Sequence, residues 1–140
     1  MLTGKKIVLG VSGGIAAYKM ANVASMLSKL HADIHVVMTE NATHFITPET
    51  FEVLTGNHCY TDTFDRCMEL HVPHIALGTQ ADAILIAPAS ADVVGKIANG
   101  IADDMLTTCV LPATCPVMLA PSMNVHMYEN PIVQDNMKRL

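Results

Sequence analysis

Four short segments place small or hydrogen-bonding residues directly after apolar runs: Ser12-Gly13-Gly14-Ile15, Thr39-Glu40-Asn41, Pro88-Ala89-Ser90-Ala91-Asp92 and Pro121-Ser122-Met123-Asn124. Where such a segment leads into a helix, unpaired backbone N–H groups and the helix dipole favour an anion. Gly13 and Gly14 suit the close approach of a phosphate, and they equally suit a tight turn. The first segment is not G-x-x-x-x-G-K-[ST], because Lys19 falls too far along, and Gly10, Gly13 and Gly14 do not spell G-x-G-x-x-G. ATP hydrolysis and the usual dinucleotide fingerprint are therefore disfavoured. Ser90 and Asp92 also fit an ordinary helix cap and first-turn acid, and Pro121 with Asn124 an ordinary turn.

Seven histidines are present, none in a zinc-ligand spacing such as H-E-x-x-H. His71 and His74 precede a strongly apolar segment, and either can enter a cleft as a general base, since imidazole titrates near neutrality. Spacing does not choose between them. Asp103-Asp104 reads as a helix start more readily than as a metal site. The four cysteines, at 59, 67, 109 and 115, form no C-x-x-C pair, so neither a disulfide framework nor a metal is expected.

The elements that must position these residues follow an alternating pattern. Lys5–Val11, Ala32–Met38, Ala83–Ala87 and Val117–Ala120 are apolar runs of the kind expected of strands covered on both faces. Helical spacing fits Ile15–Leu30, Ser90–Ala98, Asp103–Leu111 and Pro131–Leu140, with shorter helices opening at Pro48 and Pro73. A short edge strand is expected around Cys59–Thr61, and Gly56-Asn57 ends the helix before it. Strand–helix alternation of this kind implies an α/β fold: a doubly wound parallel sheet in a Rossmann-like or flavodoxin-like three-layer sandwich. In such a sheet, ligands bind beyond the carboxyl ends of the strands, where all four segments fall.

With 140 residues the chain fits one domain with a substantial core. Lys plus Arg is 8 against 13 Asp plus Glu, a net charge of −5, so no basic footprint for nucleic acid or an anionic membrane exists. The N-terminal apolar run is too short for a signal peptide or a membrane span, which points to the cytoplasm. Small molecules and other proteins are the expected partners.

Val11-Ser12-Gly13-Gly14-Ile15-Ala16-Ala17-Tyr18-Lys19, His74-Ile75-Ala76-Leu77, Ala87-Pro88-Ala89-Ser90-Ala91-Asp92, Lys96 to Asp104 and Pro121-Ser122-Met123-Asn124-Val125-His126-Met127-Tyr128 together resemble the FMN-dependent cysteine decarboxylases. The resemblance spans essentially the whole chain. It is nearest to the phosphopantothenoylcysteine decarboxylases, whose bacterial form is part of a bifunctional coenzyme A biosynthesis protein. Flavin prenyltransferases share the fold, but their first loop resembles T-G-A-S-G, absent here.

The resemblance implies FMN held by Gly13, Gly14, Ile15, Thr39, Ser90, Ala91, Asp92, Val93 and Ser122, at a subunit boundary of a homotrimer that in some relatives assembles into dodecamers. It selects His74, through the H-I-x-L motif, as the catalytic histidine, and Asn124 as the anchor of the substrate carboxylate. The implied reaction is decarboxylation of 4'-phosphopantothenoylcysteine to 4'-phosphopantetheine. In the family, FMN first oxidises the terminal cysteine to a thioaldehyde, so that the electrons left by departing carbon dioxide delocalise onto sulfur. A lantibiotic-type peptidyl-cysteine decarboxylase and a non-catalytic flavin-binding regulatory subunit are the alternatives. Two departures stand out. The family usually has asparagine in place of Asp92, and its cysteine-bearing substrate clamp follows the helix at which this chain ends. Residues 1–140 are thus expected to form a single flavin-binding domain without that clamp, one that folds and binds FMN but turns over slowly.

Overall fold

A computed structural model of the chain describes residues 1–64 and 73–140, except for the side chains of Pro73 and His74. Four parallel strands, β1 (Lys6–Val11), β2 (Asp33–Met38), β3 (Ala83–Ala89) and β4 (Val117–Pro121), lie in the order β2-β1-β3-β4. The chain first steps from β1 to β2, then crosses back to place β3 on the other side of β1. This reversal is the switch point of a flavodoxin-like sheet, and it opens a crevice between the carboxyl ends of β1 and β3.

Period-two alternation divides the strand residues between two cores. Leu9, Val11, Ile34, Val36 and Met38 face α1 (Met20–Lys29) and α2 (Pro48–Thr55), where Ala24 and Phe51 are buried. Val8, Val37, Ile84 and Ile86 face the opposite way. There they meet Leu77 of α3 (Pro73–Gln80), Val93 and Val94 of α4 (Ala91–Ala98) and Leu106 and Cys109 of α5 (Met105–Val110). A short helix α6 (Val125–Glu129) and a C-terminal helix α7 (Pro131–Arg139) follow β4, and α7 packs on α4. Arg139 donates to Asn99 at 2.9 Å and pins that contact. The three-layer architecture expected from the sequence is therefore present.

Several boundaries differ, each for a local reason. The expected helix Ile15–Leu30 opens as a 3-10 turn over Ile15–Lys19 before α1 begins. Gly14 offers no side-chain acceptor, so its carbonyl takes the Ala17 N–H in a tighter turn, and Ala17 is buried as a result. The expected edge strand Cys59–Thr61 contracts to a single parallel bridge between Val37 and Tyr60. After it, the Asp62 carboxylate accepts the Phe64 N–H and turns the chain. Asp103 lies outside α5, which is capped by Asp104 alone through a reciprocal pair of bonds with Thr107. The helix opened by Pro48 ends as expected at Gly56, which takes the left-handed conformation at φ 72°. Neither α6 nor a 3-10 turn over Asn41–His44 was foreseen; both are too short to show periodicity.

Among the described residues, the edge strand β4 is exposed on the α1/α2 side. Met118 pairs in register with Leu85 and is 54% exposed there. Ile15, Tyr18, Val125, Met127 and Tyr128 are exposed as well.

Candidate functional site

At the switch point, one buried hydroxyl joins the ends of β1 and β3. Ser12 donates to the carbonyl of Pro88 and accepts the N–H of Ser90 at 2.9 Å. Ser12 is fully buried, so both bonds work without competition from water. They hold the first and third loops side by side, next to the cis peptide between Ala87 and Pro88. Loop two is brought in by close backbone approach. A side chain at Gly13 would collide with Cβ of Asn41, so only glycine lets the first loop seat against the Asn41–His44 turn. Thr39 Oγ1 accepts the Ala42 N–H at 3.3 Å and keeps its own hydroxyl hydrogen for another acceptor.

Ser90 caps α4 by accepting the Val93 N–H at 3.3 Å. The helix has no internal partner for its first N–H groups, so those of Ala91 and Asp92 are left for a ligand. In the fourth loop, the Asn124 side-chain oxygen Oδ1 accepts the His126 N–H at 2.8 Å and caps α6. The Asn124 NH2 group remains as a donor.

Two adjoining cavities collect these residues. One, of about 420 Å³, is lined by Gly13, Thr39, Asn41, Ser90 to Val93, Lys96, Asp103 and Met127, with Glu40 and Asp104 at its border. The other, of about 370 Å³, is lined by Gly13, Gly14, Ile15, Ser90, Ala91, Ser122, Asn124 and Met127, with Met123. Gly13, Ser90, Ala91 and Met127 line both. Gly13, Gly14, Ile15, Thr39, Ser90, Ala91, Asp92, Val93, Ser122 and Asn124 thus all meet at one rim of the sheet. His74 is the second residue of α3, and its side chain is not described. His71 and Cys67 lie outside the described residues.

Sequence reasoning missed Asn41, Lys96 and Met127 as lining residues. Asn41 belongs to a loop already singled out, and Met127 follows the Asn124 cap by one helical turn. Lys96 is found by the i,i+4 spacing from Asp92, and its ammonium lies 3.3 Å from that carboxylate and 3.1 Å from Asp103. Burial opposes its charge, but the bonds to Asp103 and Asp92 outweigh burial and raise its pKa above the ordinary lysine value. No group of side chains able to hold a metal occurs among the described residues. Cys59, Cys109 and Cys115 are free thiols. No helix among the described residues is long and apolar enough to cross a membrane.

A flavoprotein family profile matches residues 1–140 in full. The chain belongs to the flavoprotein family. It is 49% identical over 140 residues to the coenzyme A biosynthesis bifunctional protein CoaBC of Bacillus subtilis (strain 168), covering 100% of this chain and 34% of that protein. To the CoaBC protein of Mycolicibacterium smegmatis it is 44% identical over 140 residues, covering 100% of this chain and 33% of that one. The chain spans about a third of the length of these curated relatives. Its fold matches the crystal structure of the FMN-dependent cysteine decarboxylase SpaF with a TM-score of 0.92 at 37% identity, over 100% of this chain and 81% of that one. A PPC decarboxylase mutant complexed with pantothenoylaminoethenethiol matches with a TM-score of 0.82 at 30% identity, over 97% of this chain and 76% of the other. Flavoprotein-family membership and a four-loop rim at the switch point are thus established together.

Proposed function

We propose that residues 1–140 act as one flavin-binding domain that holds FMN at this rim and carries out decarboxylation of 4'-phosphopantothenoylcysteine to 4'-phosphopantetheine in coenzyme A biosynthesis. The observation that carries this reading is the convergence of four separate loops, from Gly13 to Asn124, on two adjoining cavities at the switch of strand order. Full-length similarity to CoaBC proteins and to a PPC decarboxylase supports the substrate, and likeness to SpaF supports the cofactor.

The donor set fits a phosphorylated flavin. The α4 N-terminus with its Ser90 cap, the Thr39 hydroxyl and a glycine loop without side chains suit a phosphate. Ile15, Val93 and Met127 add apolar surface for a ring. FMN, when bound, supplies the electron sink that lets a cysteine carboxylate depart. Asn124 offers its NH2 to that carboxylate while its oxygen is fixed by the His126 N–H, so the donor is oriented before the substrate arrives. His74 serves as the general base, and its position early in α3 suits that role, because α3 runs back from the carboxyl rim toward the start of β3.

Exposed Met118, Tyr18 and Tyr128 support an interface with further copies of the chain, which the family resemblance implies is that of a homotrimer able to assemble into a dodecamer. The net charge of −5 argues against affinity for nucleic acid, and likeness to coenzyme A biosynthesis proteins supports a cytoplasmic location. His74→Asn tests the assignment. We expect FMN retained and release of carbon dioxide from phosphopantothenoylcysteine abolished; undiminished turnover would remove His74 from the chemistry.

A further inference from the structure

The cavity that takes the phosphate in the reading above is bordered by four carboxylates and one cation: Glu40, Asp92, Asp103 and Asp104 against Lys96. A dianionic phosphate beside so many carboxylates is unfavourable unless their charges are engaged elsewhere. Two of them are engaged plainly. The Asp104 carboxylate accepts the Thr107 N–H at 2.8 Å and the Thr107 hydroxyl at 2.7 Å, which ties it into the cap of α5. The Asp103 carboxylate lies 3.1 Å from the Lys96 ammonium.

Asp92 is the acid that matters most. It occupies the first turn of α4, where the helix dipole stabilises a carboxylate and a phosphate alike, so the two compete for one electrostatic position. Its side chain is 66% exposed, whereas that of Lys96, one turn deeper, is 22% exposed. The ammonium therefore sits behind the carboxylate, 3.3 Å away, and the second bond to Asp103 keeps it from swinging out.

We propose that Lys96 is the residue that makes this rim tolerate an anion: shared between Asp92 and Asp103, it removes one of their two negative charges, sets the affinity for the phosphorylated flavin and leaves the affinity for the unphosphorylated one alone. This rests on the FMN reading. It assigns the half-buried Lys96 a charge-balancing role that a simple helix ion pair does not require, since an i,i+4 pair by itself contributes little to stability.

The test is a double-mutant cycle read by quenching of flavin fluorescence at low salt, with FMN and riboflavin as the two probes. Lys96→Gln is expected to weaken FMN binding about three- to tenfold, as one uncompensated charge at a separation of several ångström would do, and to leave riboflavin unchanged. Adding Asp92→Asn to Lys96→Gln removes one charge of each sign, leaves Asp103 as in the wild type, and is expected to return FMN binding to within about twofold of the wild type. Equal weakening of both flavins, no weakening of FMN, or no recovery in the double variant would overturn the inference. A wild-type protein that binds neither flavin would instead overturn the FMN reading itself, so the two failures are distinct.

Discussion

The oxygen of the Asn124 carboxamide accepts the His126 N–H, Asn124 lines the second cavity, and its NH2 group is left to donate. Asn124→Asp separates these roles, because aspartate caps a helix as well as asparagine but offers no donor. We expect the variant to keep its fold and its FMN while kcat/KM for the cysteine substrate falls at least about tenfold, the value of one hydrogen bond to a charged group. Equal kcat/KM in the two proteins would remove Asn124 from substrate binding. Ser12 presents the opposite case. Its hydroxyl is buried and engaged by Pro88 and Ser90 rather than by a ligand, so Ser12→Ala should cost about 1–3 kcal/mol of stability, measurable by urea denaturation, because the Ser90 N–H loses its acceptor and the Pro88 carbonyl keeps only the Ser12 N–H at 3.3 Å. At this scale the loop residues were legible from sequence, since glycine, serine and asparagine after an apolar run have few explanations. The roles inside each loop were not. Nothing in Ser12-Gly13-Gly14 says that the serine points inward and the second glycine outward. Likewise, Lys96 gains its place at the cavity only when Asp103 folds back onto α4.

Gly13 and Gly14 show how elements, rather than single side chains, build the rim. A Cβ at Gly13 would strike Asn41 and displace the 3-10 turn Asn41–His44, whereas a Cβ at Gly14 meets nothing within 4 Å. Gly14 is extended, at φ −175°, a conformation open to any residue. Gly13→Ala should therefore cost about 1–3 kcal/mol and weaken FMN binding, while Gly14→Ala should leave stability within about 0.5 kcal/mol. Thermal melts of the two variants decide between this account and one in which both glycines serve only a turn. In the latter case the two would melt alike. The strands and longer helices were legible because their apolar runs or 3.6-residue spacing are long enough to carry a signal. The contraction of Cys59–Thr61 to one bridge was not, since pairing at that edge depends on where Asp62 turns the chain. The opening of α1 as a 3-10 turn depends likewise on the missing cap at Gly14.

Across the whole molecule, two buried thiols make stability depend on pH. Burial, with Glu52 and Glu49 nearby, pushes Cys59 up to about 12, and burial with Asp104 does the same for Cys109, also to about 12. An unfolded thiol ionises near 9.0. The folded protein thus holds its full thiol contribution below that pH and loses it as pH rises toward 12, by up to about 1.4 kcal/mol per unit for each thiol. Urea midpoints at pH 8 and pH 10 should differ markedly in the wild type and much less in a variant carrying both Cys59→Ala and Cys109→Ala; equal slopes would contradict the assignment. The parallel sheet with helices on both faces followed from strand–helix alternation, but the strand order and the exposure of Met118 did not, because an apolar strand reads the same whatever its neighbour and whether or not a helix covers its second face. All of this serves one central claim, that loops from four strand ends form a flavin cradle. Titration of the flavin-free protein with FMN, followed by the visible absorption spectrum, tests it most directly. We expect saturation at one FMN per chain with a structured, shifted flavin band. An unshifted spectrum and unquenched fluorescence throughout the titration would contradict it.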